Sequence, residues 1–236
     1  MGPPPEGVIG IDLGTSGCRA VAVDGRGATL AEARRPFPEP LNPADGWVEQ
    51  DPALWWVAVQ GLLGEIAAKL SGVRVRALCV DGTSGTLLLA DCSGKPLTPA
   101  LLYNDRRALE GAAAVDAVAP PDSPARGPGS SLSKLIELAR TARRAGSLAG
   151  EVLALHQADW IAGRLTGRYG WSDWNNALKL GYDAERLTWP DWVRGLLPGD
   201  VRLPEVLAPG SVLGPLDARL ALALGLDPGA RVLAGT

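Results

Sequence analysis

Two stretches of this chain share one grammar. Val8-Ile9-Gly10-Ile11 runs into Asp12-Leu13-Gly14-Thr15-Ser16-Gly17 and leaves through Cys18-Arg19-Ala20-Val21-Ala22-Val23-Asp24. Ala77-Leu78-Cys79-Val80 runs into Asp81-Gly82-Thr83-Ser84-Gly85-Thr86 and leaves through Leu87-Leu88-Leu89. Apolar, β-branched runs bounded by Gly and Ser read as strands, and the first pair reads as a hairpin. Two strands that each end in Asp, then Gly, Thr, Ser and Gly, predict two polar turns at one edge of a sheet.

Such turns suit an anion. The glycines are expected to give the first turn positive φ and to leave backbone N–H groups bare toward a ligand. Thr15 and Ser16 add hydroxyls, and Arg19 adds a cation. Asp12 closes a strand, which holds its carboxylate rigidly at the mouth of a cleft. An acid beside a phosphate cradle implies a divalent cation between them, because Mg²⁺ is held by one or two carboxylates plus phosphate oxygens. The competing reading is a surface hairpin whose Gly and Ser serve turn geometry alone.

Composition narrows the partners. The net charge of −3 carries no basic face beyond Arg106-Arg107 and Arg140 to Arg144, which excludes nucleic acid as the expected ligand. Cys18, Cys79 and Cys92 are too scattered for a disulfide framework or a zinc site. The start, Met1-Gly2-Pro3-Pro4-Pro5-Glu6, lacks the pattern of a secretory signal, and no apolar run reaches membrane-spanning length. A cytoplasmic setting without membrane contact is expected, with residues 1–7 disordered.

Along the chain, Ala28 to Arg35 reads as a third strand, antiparallel to the second across Asp24-Gly25-Arg26-Gly27. Asp51-Pro52 is an N-cap with proline at the first helical position, and Trp55, Val59, Leu62, Leu63, Ile66 and Leu70 keep a helical period until Ser71-Gly72. Val73 to Val80 is a buried strand. A three-strand meander, a helix and a fourth strand is the order of ribonuclease-H-like sheets, by analogy.

Beyond it, Leu101-Leu102-Tyr103 delivers Asn104-Asp105-Arg106-Arg107, either a site or a capped helix start. Pro120 to Ser130 is the most plausible internal boundary. Helices are predicted over 131–145 and 151–165, the latter holding the chain's one histidine, His156, which reads as a packed or surface residue rather than a base. Trp171-Ser172-Asp173-Trp174-Asn175-Asn176-Ala177-Leu178-Lys179 either lines a sugar site or satisfies its own backbone. Helices are expected near 189–192 and 216–224, and Ala230 to Ala234 is a strand opening into Gly235-Thr236. That ending looks like a third strand-to-turn junction, and it suggests part of something longer.

The ordered set resembles the FGGY carbohydrate kinases of the sugar-kinase and actin-like ATPase superfamily. It comprises Gly10-Ile11-Asp12-Leu13-Gly14-Thr15-Ser16 with Arg19, Asp81-Gly82-Thr83-Ser84-Gly85, Leu102-Tyr103-Asn104-Asp105 with Arg107, Ser133-Lys134-Leu135, Gln157-Ala158-Asp159-Trp160, and Ser172-Asp173 through Asn176-Ala177. It is most similar to a plant and cyanobacterial xylulose-kinase-like subgroup thought to use D-ribulose. The resemblance implies an α/β, ribonuclease-H-like (actin-like ATPase) domain over 8–236, a mixed sheet flanked by helices.

It also implies roles. Asp12 would place Mg²⁺, and Gly14, Thr15, Ser16 and Arg19 would meet the phosphates of ATP. Asp81, Gly82, Thr83 and Ser84 would form the ketose site, with Asn104, Asp105 and Arg107 beside it. No Walker-A pattern is present, so hairpin backbone and hydroxyls must grip the phosphates. In the family, the proton-accepting Asp and a second, C-terminal ATPase domain follow the position of Thr236. The chain alone is therefore expected to lack useful turnover. A non-catalytic sugar-sensing or partner-binding module is the alternative, and a heat-shock-type ATPase is disfavoured by the amides and indoles of 171–179.

Overall fold

A computed structural model describes residues 4–148 and 150–235. The chain opens as an antiparallel meander of β1 (Glu6–Leu13), β2 (Gly17–Asp24) and β3 (Thr29–Pro36). Each strand alternates, so Ile9, Ile11, Leu13, Cys18, Ala20, Ala22, Ala31 and Ala33 face the core. Asp24 closes the second turn by accepting from the N–H groups of Arg26 and Ala28, with Gly27 left-handed at φ +81°. β1 begins inside the expected disordered leader: Glu6 and Gly7 pair with β5 and β2, while residues 1–3 lie outside the described ones.

After β4 (Glu49–Gln50), α1 (Pro52–Lys69) starts where proline predicted it. The Asp51 carboxylate accepts from the Ala53 N–H at 2.9 Å, a cap contributing about 1 kcal/mol. α1 presses Trp55, Val59, Leu62, Leu63 and Ile66 against the sheet, and the Trp55 indole donates to Gln50 Oε1 at 2.6 Å. β5 (Arg74–Gly82) follows and runs parallel to β1.

A second layer holds β6 (Leu87–Asp91), β7 (Ala100–Leu101), α2 (Leu109–Asp116), α3 (Ser131–Arg144) and β8 (Val152–His156), and α4 (Gln157–Thr166) packs back on β5 of the first sheet. Then come β9 (Trp171–Asp173), α5 (Trp174–Ala177), α6 (Asp191–Leu196), β10 (Val201–Arg202), β11 (Glu205–Leu207), β12 (Val212–Pro215), α7 (Ala218–Leu224) and β13 (Arg231–Leu233). One sheet has the order β12-β13-β5-β1-β2-β3, and a second β10-β8-β6-β7-β4. The first keeps the ribonuclease-H-like order, with β5 between two parallel neighbours, β1 and β13.

Three expectations change. The helix predicted over 151–165 begins only at Gln157, because Val152 to His156 is a strand flanked by β6 and β10. All five of its residues are buried, so its apolar run carries no periodicity to separate strand from helix. The stretch between Leu196 and Leu224 holds three short strands as well as loops. The Pro120–Ser130 loop divides nothing: Ala125 is fully buried in one apolar cluster with Val115, Ala119, Leu132 and Leu135. No described helix is long and apolar enough to cross a membrane.

Candidate functional site at the edge of the first sheet

The parallel register pairs Asp12 of β1 directly with Asp81 of β5. Directly opposed residues share a sheet face, so both carboxylates stand on the face opposite buried Ile11 and Val80. The row continues, since Asp12 is also opposite Arg19 and Arg19 opposite Arg34. Arg19 Nε donates to Asp12 Oδ2 at 2.9 Å, an exposed pair. The two polar turns are joined at the backbone. Thr83 donates its N–H (3.1 Å) and its hydroxyl (3.2 Å) to the carbonyl of Leu13. β13 brings a third strand end to the same edge, where Gly235 lies so close to the Val80 carbonyl that a Cβ would stand 2.0 Å from its oxygen.

The first turn is built differently from its expectation. Neither Gly14 nor Gly17 is left-handed. Gly17 is needed for close approach, since a Cβ there would meet the Arg35 carbonyl oxygen at 2.6 Å. The Gly14 N–H closes the turn onto the Gly17 carbonyl at 2.9 Å, so it shapes the loop and is not free for a ligand. In the second turn Gly85 is left-handed at φ +90°, while Gly82 packs on Ala158.

Two clefts meet at this edge. One, of about 460 Å³, is lined by Asp12, Gly14, Ser16, Arg19, Arg34 and Arg35. The other, of about 260 Å³, is lined by Thr15, Ser16, Phe37, Val48, Tyr103 and Asn104, among others. Ser16 lines both. Arg34 is a cation that sequence reasoning missed; its signal was alternation in β3, which turns it to the open face beside Arg19. A larger cavity, of about 710 Å³, lies elsewhere, around Tyr182, Trp189 and Arg202, and holds none of the predicted site residues.

The 104–107 cluster separates into two parts. Asn104 is exposed on the second cleft. Asp105 is 0% exposed and accepts from the Val48 N–H at 2.7 Å and from the Arg107 guanidinium at 2.7 and 2.9 Å. Arg107 also reaches Glu49 at 3.0 Å and stacks on Trp47 at 3.9 Å from the ring centre. Asp105 and Arg107 thus hold the loop that presents Asn104, and the carboxylate has no face left toward a cleft.

Behind the turns lies a lysine whose position sequence reasoning quoted without a role. Lys134 of α3 is 0% exposed and donates to the carbonyls of Gly85 at 2.8 Å and Leu102 at 2.6 Å. Burial pushes its ammonium down to about 7, with the Asp105 carboxylate opposing that fall. Its signal was a cation in the apolar stripe of Leu132, Leu135 and Leu138. Ser84 is half-buried, and its carbonyl accepts from Lys179 at 3.4 Å.

His156 behaves as a packed residue. Its Nδ1 is hydrogen-bonded to the Asp159 carboxylate and its Nε2 to the Ser131 hydroxyl, each at 3.0 Å. Ser131 and His156 are fully buried and Asp159 nearly so, which seals the line from any substrate. In the 171–179 patch, Asp173 accepts from the Asn175 and Asn176 N–H groups and from Asn176 Nδ2, so these three residues satisfy one another, while the buried Ser172 hydroxyl is left without a protein partner. Burial raises the Asp173 pKa. Burial also pushes the Cys18 thiol up to about 11 and raises that of half-buried Cys79.

A mixed sheet with helices packed against it is the fold of solved sugar-kinase structures. A gluconate kinase structure from Lactobacillus acidophilus superposes with a TM-score of 0.86 at 22% identity, covering 98% of this chain and 48% of that one. The family model described as the FGGY family of carbohydrate kinases, N-terminal domain, matches residues 7–236, and the chain belongs to this family. A xylulose kinase from Klebsiella pneumoniae is 29% identical over 231 residues, covering 93% of this chain and 46% of its own. A glycerol kinase from Acidovorax ebreus is 30% identical over 230 residues, covering 90% of this chain and 45% of its own. The chain thus spans about half the length of the curated relatives it matches.

Proposed function

We propose that this chain is the sugar-binding, N-terminal part of a cytoplasmic kinase that transfers the γ-phosphoryl of ATP to a hydroxyl of a ketose such as D-xylulose or D-ribulose. The register of Asp12 with Asp81 supports the reading, because it brings two turns distant in sequence to one sheet edge. Xylulose kinases among the relatives favour a ketose; D-ribulose rests on the likeness of the 81–86 and 176–182 stretches.

Phosphoryl transfer asks a protein chiefly for positioning and charge neutralisation. In this reading the hydroxyls of Thr15 and Ser16 grip the phosphates from the ridge between the clefts, and Arg19 and Arg34 offset their charge. Asp12 has one carboxylate oxygen engaged by Arg19 and is 44% exposed, which fits the single carboxylate that Mg²⁺ takes beside phosphate oxygens. When bound, Mg²⁺ would supply charge neutralisation at those oxygens. Ser84 and Asn104 orient the ketose, while Asp81, Gly82 and Thr83 hold the second turn in place.

A base that accepts the sugar proton contributes roughly 10²–10⁴-fold. Asp12 already has the metal role in this reading, and Asp81 Oδ1 accepts from its own Gly82 N–H at 2.9 Å. We therefore assign the base and the adenosine site to the C-terminal half of the family's length, and expect little turnover from these residues alone. Thermal-shift titration of this chain with D-xylulose, D-ribulose and glycerol tests the sugar site, since a ligand that prefers the folded state raises apparent stability. A shift with a ketose is expected; none with either ketose would overturn the reading. Coupled ADP release near roughly 1 s⁻¹, the low end for kinases, would overturn the assignment of the base to the other half.

A further inference from the structure

We propose that Lys134 is a positioning residue of the sugar-facing edge, tying the turn that carries Ser84 to the loop that carries Asn104 so that the two move as one body. This rests on the kinase reading for its purpose, but the tie itself does not. The Gly85 carbonyl directly follows Ser84, and the Leu102 carbonyl lies two residues before Asn104. One ammonium, 0% exposed, bonds both at 2.8 and 2.6 Å.

A buried lysine is costly to solvate poorly, and it persists where its donors are met. An apolar residue at this point of α3 would fill the same space and leave both carbonyls without that donor. The strands beside the two segments, β6 after the turn and β7 before the loop, pair only at Leu87 with Leu101, so residues 83–86 and 102–105 have no strand pairing of their own among the described residues. Lys179 adds a weaker grip on the neighbouring Ser84 carbonyl at 3.4 Å. Rigid spacing between Ser84 and Asn104 is what a polyol needs when its hydroxyls are read one by one, because small misplacements at such sites cost large factors.

The test is hydrogen exchange resolved to single amides on this chain. In the native protein the Thr86 N–H, bonded to Thr83, and the Asp105 N–H, bonded to Leu102, are expected to open with one shared free energy. In Lys134→Met both should exchange at least about tenfold faster, while amides of β1 and β2 keep their protection. Lys134→Gln, whose nitrogen sits one atom nearer the backbone and cannot reach both carbonyls, should uncouple the two openings. In a ketose titration, Lys134→Met should raise Kd about tenfold or more, and Lys134→Arg should recover part of it. Unequal opening of the two amides in the native protein would overturn the tie, as would a uniform loss of protection in the variants. A chain that binds no sugar but shows the shared opening would overturn the kinase reading and leave the tie standing.

Discussion

Thr83 hangs the second turn from the end of the first strand: its N–H and its hydroxyl both donate to the carbonyl of Leu13, at 3.1 and 3.2 Å. Thr83→Val keeps the shape and the N–H bond and removes the hydroxyl. The expected loss is about 0.5–1.5 kcal/mol, the net worth of one intramolecular hydrogen bond. Urea denaturation measures it, and a variant as stable as the parent would mean that the hydroxyl contributes nothing to joining the turns.

Asp105 is the more expensive residue to change. Replacing it by Ala strands the Arg107 guanidinium and the Val48 N–H in a poorly hydrated place. Breaking a buried pair from one side costs about 3–5 kcal/mol. Arg107→Lys, which keeps the charge but not the fork or the stacking on Trp47, should fall in between. If Asp105→Ala unfolds at the same denaturant concentration as the parent, the loop is held by something else.

Glycines at two points of the same sheet should answer in opposite ways. Gly17→Ala drives a Cβ toward the Arg35 carbonyl, 2.6 Å away, and strand β3 must yield. Crowding of this kind costs about 1–3 kcal/mol. Gly10→Ala meets nothing within 4 Å and should stay within about 0.5 kcal/mol of the parent. Equal melting temperatures for the two variants would contradict the geometry of the first turn.

Stability should rise with pH through the range set by Lys134. Its ordinary value is 10.5 and burial pushes it down to about 7, with Asp105 acting against that fall and Lys179 and Arg107 adding to it. Between those values the unfolded chain holds a proton that the folded chain has released. The stabilisation is therefore complete above the unfolded value and is lost as pH falls through the folded one. The slope from this one group is at most about 1.4 kcal/mol per pH unit. Chemical denaturation at pH 7, 8 and 9 should give a smaller rise for Lys134→Met than for the parent; identical slopes would remove Lys134 as the source.

The parts of this fold legible in the sequence were those with local chemistry. Asp24 to Gly27 and Asp51-Pro52 announce a turn and a cap through residues that satisfy backbone groups within a few positions. The Asp12 and Asp81 junctions were legible because each strand carries a charged residue one position before its end, after an alternating or apolar run. β8 was not, since a strand buried on both faces carries no alternation, and Val152-Leu153-Ala154-Leu155 suits a helix equally. The division of labour among Asn104, Asp105 and Arg107 was hidden too. It depends on Trp47, Val48 and Glu49, more than fifty positions away and unmarked by any local pattern.

The parallel ladder between β1 and β5 has a consequence for how such a chain can vary. Ile11 and Val80 point inward at the position just before each acid, so a slip of a single residue would submerge a carboxylate and surface a valine or isoleucine. Hydrophobic burial acts as a ratchet that locks the two acids level with each other. Ser84, Tyr103 and Asn104, which lie outside that ladder, can then be exchanged without the pair of acids losing its alignment.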